Sequence, residues 1–307
     1  MTSTRISFRV WIDLALLSLM WGGSFLAVRI ALDEIGYLTA VAHRVFWGAL
    51  ALWGFALLRG IRVPLSLRTW GAFAVMGLFN NIVPFSLMSW GQLHIESGLT
   101  AILNAATAFM AVIVAAIVFR DERLTRARLV GITLGSFGVA LAVGLGNLAA
   151  FDVRSLAQIA VLGGAFSYAV SVAWARAMFP GIDPVVSALG MLTCSAVIGV
   201  PLAWVVEGPI RLDLAPATWG AIGYYALIAT ACAYLVYYRI LRAAGAGNTA
   251  IVTLLIPPVA IVLGALVRGE ALPPPAIAGF AILALGLVIL NGPPALLRGL
   301  PSRRRQR

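Results

Sequence analysis

Gly98–Leu141 reads GLTAILNAATAFMAVIVAAIVFRDERLTRARLVGITLGSFGVAL, and Gly247–Leu290 reads GNTAIVTLLIPPVAIVLGALVRGEALPPPAIAGFAILALGLVIL. Each copy is an apolar run, a short charged turn and a second apolar run. Gly98, Thr100, Ala101 and Ile102 align with Gly247, Thr249, Ala250 and Ile251. After one missing residue, Arg120, Glu122, Leu124, Gly131 and Gly138 align with Arg268, Glu270, Leu272, Gly279 and Gly286. Related stretches half a chain apart are the mark of an internally duplicated membrane protein.

Composition agrees. Of 307 residues 62% are apolar and 11% charged, against about 25% charged in soluble domains. The net charge of +11 comes from 22 basic residues, all of them arginine, scattered through short loops and a C-terminal tail. That distribution is a topology signal and makes no nucleic-acid face. Cys194 and Cys232 fall inside apolar runs, so neither a disulfide framework nor a cysteine metal site is expected. The first apolar run is long enough to span and has no clear small-residue cleavage site, which makes it an uncleaved first span.

Ten apolar runs have the length needed to cross a hydrocarbon core of about 30 Å. They are Trp11–Leu32, Leu38–Leu58, Trp70–Gly91, Ser97–Phe119, Ala127–Gly144, Ser155–Met178, Pro184–Val206, Ala217–Leu241, Asn248–Val267 and Pro275–Asn291. The connections leave no room for a soluble domain. With the N-terminus in the cytoplasm, every arginine except Arg29, Arg44, Arg154, Arg211 and Arg268 lies on the cytoplasmic side, a bias that also puts the C-terminus there. The expected architecture is all-α: ten transmembrane helices in two five-helix repeats, residues 1–150 and 151–307. An odd number of spans per repeat sets the Arg120–Leu124 and Arg268–Leu272 turns on opposite sides. The repeats are therefore inverted, the arrangement that lets two halves rock around a midplane site.

Trp21-Gly22-Gly23-Ser24-Phe25 in span one, Arg44 early in span two and the Glu-x-Leu turns after spans four and nine resemble the drug/metabolite transporter superfamily, in its ten-span EamA-type branch. Within that branch the chain is similar to the YddG-type exporters of aromatic and other amino acids. The resemblance implies a plasma-membrane carrier with a basket-like cavity lined by spans one, three, four, six, eight and nine, acting on a small molecule without a cofactor. The expected surroundings are the lipid bilayer, and a monomer is compatible with this reading.

The residues themselves supply candidates. Pro84 removes a backbone donor and should free the carbonyl of Asn80, kinking span three. Asn80 and Asn81 can face a substrate or hydrogen-bond neighbouring helices. Pro257 and Pro258 form a second kink candidate in span nine. Thr100, Asn104 and Thr107 share a stripe of span four; packing suits the threonines, and a cavity suits Asn104, the costlier group to hide from water. Trp21, Phe25, Trp90, Tyr168 and Tyr234 are the aromatic candidates for an apolar pocket with a few placed polar groups. Tyr224, Tyr225, Tyr237, Tyr238 and Trp70 are expected in interfacial belts. Arg29 and Asp33 are spaced for a local ion pair, and Arg44 could capture a substrate carboxylate. Glu122 and Glu270 should pair with arginines or cap helices. His43 and His94 lack the company of a metal site.

All eleven acidic residues lie in loops or near span ends. That disfavours proton-coupled export of cationic drugs through a buried carboxylate. The spans also offer no catalytic constellation. A carrier of amphipathic metabolites, amino acids above all, is the expectation; lipid scrambling or transport of drugs, nucleosides or nucleotide sugars is the alternative.

Overall fold

The structure, a computed structural model, describes residues 7–144 and 152–291. Arg5 and the basic tail containing Arg298, Arg303, Arg304, Arg305 and Arg307, which entered the charge count, lie outside them. The described residues form helices and connections with no strand. The spans are α1 Phe8–Ala31, α2 Tyr37–Leu58, α3 Leu67–Gly91, α4 Ser97–Val118, α5 Arg126–Val143, α6 Val153–Met178, α7 Pro184–Glu207, α8 Pro216–Gly245, α9 Val252–Arg268 and α10 Pro274–Asn291. The first eight are long and apolar enough to cross a bilayer, while α9 and α10 are shorter.

Local chemistry sets the starts. Ser7, Thr125, Asp152 and Asp183 accept backbone N–H groups at the N-termini of α1, α5, α6 and α7, and Pro184 occupies the first turn of α7. Between α8 and α9 the chain turns at Gly245, whose φ of 76° and ψ of 168° break the helix. One helical turn follows and then a tighter one, in which the Thr253 N–H bonds the Ala250 carbonyl at 3.1 Å and the Leu254 N–H bonds the Ile251 carbonyl at 3.0 Å. Span nine therefore begins before α9. Pro257 and Pro258 lie within α9, and the departure from α geometry precedes them, on the side toward which a proline ring presses the carbonyl four residues back.

α1 packs on α8 and α9, α2 on α7 and α8, α3 on α6 and α7, α4 on α6 and α9, and α5 on α10. The α5–α10 contact is backbone to backbone. A Cβ on Gly131 would lie 2.8 Å from the Gly286 carbonyl oxygen, and one on Gly279 would lie 2.5 Å from that of Gly138. Apolar side chains cover the perimeter: Ile117, Val205 and Leu266 are 79%, 81% and 79% exposed, a cost in water that lipid removes.

The α4–α5 and α9–α10 turns fall at opposite ends of the bundle, as the inverted repeat requires. One end, where α1 begins, carries Arg59, Arg62, Arg68, Arg120, Arg123, Arg126 and Arg128 and is here the Arg-rich end. The other carries Glu34, Glu96, Glu207 and Glu270, and is the Glu-capped end.

Candidate functional site

Two corresponding helices, α3 and α8, leave α geometry at mid-span. Leu78–Ile82 of α3 and Tyr224–Cys232 of α8 are π-helical, a form concentrated at functional sites. The Val83 N–H bonds the Leu78 carbonyl, five residues back. In this register the N–H that Pro84 lacks would have met Phe79, so Phe79 carries the released carbonyl instead of Asn80. Ser167 of α6 donates its hydroxyl to it at 2.7 Å. In α8 the Thr230 hydroxyl bonds the Tyr225 carbonyl at 2.8 Å, again five residues back.

These stretches gather polar groups around one point. The Asn80 amide donates to the Tyr234 hydroxyl at 3.2 Å, and its oxygen accepts from Ser171 at 2.9 Å. Arg44 of α2 donates from Nε to the Thr230 hydroxyl oxygen at 3.0 Å and lays its guanidinium over the Phe85 ring at 4.0 Å. Phe85 meets Tyr168 edge-on at 6.4 Å. Toward the Arg-rich end Tyr238 stacks on Tyr234 at 6.2 Å, and Tyr237 contacts Tyr238 at 5.3 Å and Trp21 at 5.6 Å. Arg44, Tyr168, Tyr234, Tyr237 and Tyr238 are enclosed by protein yet only half-buried. Side chains surrounded by protein that keep accessible surface line an internal space.

The structure thus brings together Asn80, Tyr168 and Tyr234, with Trp21 joined through Tyr237. Asn81 is fully buried and donates to Ser195 of α7 at 2.9 Å, the helix-to-helix bond that was its other reading. Phe25 is half-buried among α1, α4 and α9, and its carbonyl accepts from Gln92 at 2.8 Å. Trp90 lies ten residues beyond Asn80, about 15 Å along the helix, with its ring against His94 at 5.1 Å. Asn104 is half-buried where the first part of α4 ends, and accepts from Thr107 at 3.5 Å. Neither Trp90 nor Asn104 bonds to the Asn80 group.

Sequence reasoning placed four tyrosines in interfacial belts, and the structure draws Tyr225, Tyr237 and Tyr238 inward while Tyr224 stays half-buried. Tyr225 is fully buried, the Tyr224 hydroxyl donates to the Leu19 carbonyl at 2.9 Å over Gly23, and Tyr237 and Tyr238 line the internal space. For Tyr237 and Tyr238, which follow the π-helical stretch, an extra residue in a helical turn rotates the remainder of the helix by about 100°, a shift that an α-helical reading of span eight cannot anticipate. Ser171, Thr230 and Phe85 were also missed; the one legible signal was their placement at mid-span beside Tyr168, Tyr234 and Pro84.

The two ends are built differently. At the Glu-capped end carboxylates bind the N-termini of other helices, where the macrodipole favours an anion. Glu207 accepts from Leu38 and Thr39 N–H groups at 2.9 and 2.8 Å, Glu34 from Ala215 N–H at 3.0 Å, and Glu270 from Ser97 N–H at 2.9 Å. Asp33 pairs with Arg268 at 2.5 Å, and Arg29 donates to the Gln92 carbonyl at 2.8 Å. The local Arg29–Asp33 pair does not form because α1 ends at Ala31, before Asp33. At the Arg-rich end Asp13 pairs with Arg239, and Asp121 and Glu122 with Arg176. Among the described residues no ion pair joins these two groups. Arg128 and Arg176 hold the Glu122 carboxyl below its usual range by hydrogen bonding.

The EamA-like transporter family matches this chain twice, over residues 10–144 and 155–292. The chain belongs to the EamA-like transporter family. That places it in the drug/metabolite transporter superfamily, whose members here are transporters and not enzymes. A protein of Streptantibioticus cattleyicolor named "probable terminal-alkyne amino-acid exporter" is 28% identical over 94% of each chain. An uncharacterized transporter of Archaeoglobus fulgidus is 24% identical over 91% of this chain and 98% of its own. The uncharacterized inner membrane transporter YedA of Escherichia coli is 24% identical over 89% and 86%. One solved crystal structure covers 98% of this chain and 100% of its own at a TM-score of 0.66 and 17% identity, a likeness of fold. The EamA-like chain is a multi-pass transporter of the inner membrane.

Proposed function

We infer that this transporter exports small amphipathic metabolites, aromatic and other neutral amino acids first among them, by alternating access through the space around Asn80. The observation that carries this reading is the company Asn80 keeps: amide, hydroxyl and guanidinium groups set among Tyr168, Tyr234, Tyr238 and Trp21. A few convergent polar groups in an aromatic wall suit a solute with a polar head and an apolar body. The amino-acid exporter of Streptantibioticus cattleyicolor, alike over 94% of both chains, supports the substrate class. The direction follows from charge. With the Arg-rich end in the cytoplasm, the Glu-capped end is the periplasmic one, and its carboxylate caps between helices are the bonds that outward opening would break.

Purified protein in liposomes preloaded with unlabelled phenylalanine, tryptophan, threonine or methionine should accumulate the labelled counterpart by exchange. Absence of protein-dependent exchange for the whole panel overturns the reading. Movement of fluorescent lipid between leaflets without amino-acid exchange would establish scrambling in its place.

A further inference from the structure

We propose that Arg44 is the carboxylate anchor of the transported solute, and that the site selects monocarboxylates with an apolar or aromatic body whether or not they carry an amine. The proposal rests on the carrier reading and narrows its substrate class.

Arg44 stands seven residues into α2, about 10 Å from the helix start, where a charged side chain is costly unless it is partnered or functional. Other guanidiniums have evident partners. Arg128, Arg154, Arg176, Arg211, Arg239 and Arg268 meet carboxylates, and Arg29 meets the Gln92 carbonyl. Arg44 meets no carboxylate among the described residues. Its Nε is taken by Thr230 and its face by Phe85. Thr230 has already committed its proton to the Tyr225 carbonyl, so its oxygen can only accept, which fixes the guanidinium's orientation. What remains are the two terminal nitrogens, which have no protein partner among the described residues and are not sealed from the internal space. A planar fork fixed by one edge and one face, with its end free, presents the donor pair that binds a carboxylate through two parallel hydrogen bonds. Tyr168 and Tyr234 stand around it and supply the apolar wall.

The same surroundings contain no acid. The Asn80 oxygen, which faces the Ser171 hydroxyl, carries no charge, and the carboxylates of the described residues are engaged at the two ends. An ammonium group therefore finds no opposite charge near Arg44, and recognition runs through the carboxylate.

The test measures competition against labelled phenylalanine in liposome counterflow, and thermal stabilisation of the purified protein, by phenylalanine, 3-phenylpropionate, phenylalaninamide and phenethylamine. Phenylalanine and 3-phenylpropionate should act at comparable concentrations, with the amide and the amine about tenfold weaker or worse. Arg44→Gln should abolish that preference, and Arg44→Lys should keep part of it. If the amide or amine matches the acids on the natural protein, the proposal is overturned with no variant needed, and the carrier reading stands. Retention of the acid preference by Arg44→Gln also overturns it. If the natural protein neither moves nor is stabilised by any of the four, the proposal is overturned, while the carrier reading is decided separately by the exchange panel of four amino acids.

Discussion

The π-helical stretches of α3 and α8 stand at matching places in the two repeats but are held by different means. In α3 the stretch is five residues long and runs into Pro84, and the carbonyl that the proline leaves unbonded is taken by Ser167 of α6. In α8 it is nine residues long, without proline, and Thr230 of the same helix closes it and orients Arg44. The first is locked by a neighbouring helix and the second by its own side chain. The Glu-x-Leu turns differ in the same spirit: Glu270 caps α4 across the bundle, while Glu122 stays with the arginines around its own loop and α6. Duplication supplied the positions, and divergence gave each half a separate task.

The sharpest break of the comparison is at Asn81. Asn81→Ala removes a fully buried bond between α3 and α7 and should lower stability by about 1–2 kcal/mol. Asn80→Ala should leave stability nearly unchanged and weaken solute binding instead. Thermal unfolding in detergent with and without ligand separates the two, and equal behaviour of the pair would refute the division of labour.

Ser167→Ala leaves the Phe79 carbonyl unbonded and should cost about 1 kcal/mol. In a Pro84→Ala background residue 84 regains its N–H, so the added cost of Ser167→Ala should fall toward zero. A double-mutant cycle reads this coupling, and additive effects would mean that Pro84 does not create the need for Ser167.

Glu270→Ala removes the cap of α4 and should cost about 1 kcal/mol. Its counterpart Glu122→Ala, removing a half-exposed pair, should cost less. Unfolding midpoints of the two variants in one detergent give the comparison, and a larger loss at Glu122 would reverse it.

The smallest effect is one of pH. Because the folded state holds Glu122 below its usual pKa, its contribution is fully present above about pH 4.3, the ordinary glutamate value, and is lost as acid titrates through the lowered one. Glu122→Gln should flatten that part of the stability–pH profile. An unchanged slope would show that the arginines do not favour the charged carboxylate.

Much of this was legible in the sequence because membrane spans are written in apolar run length and the duplication in paired residues such as Glu122 and Glu270. Pro84 flagged the irregular part of α3. Its bonding pattern was hidden because a π turn has no compositional mark: the register that moves the free carbonyl from Asn80 to Phe79 depends on one residue of helical winding. Arg29 and Asp33 misled because spacing implies a shared helix, and α1 stops between them. Arg44 could be suspected from its depth; that its terminal nitrogens are free follows only from Thr230 and Phe85, which come from α8 and α3.

The glycine contact between α5 and α10 has a mechanical consequence. Where backbone touches backbone, as at Gly138 and Gly279, there is no room for a larger side chain and little slack for the helices to slide. Each repeat contributes its last helix to this seam. The halves are bound there like the covers of a book along its spine, so in the alternating-access mechanism proposed above the pages that turn are the other eight helices.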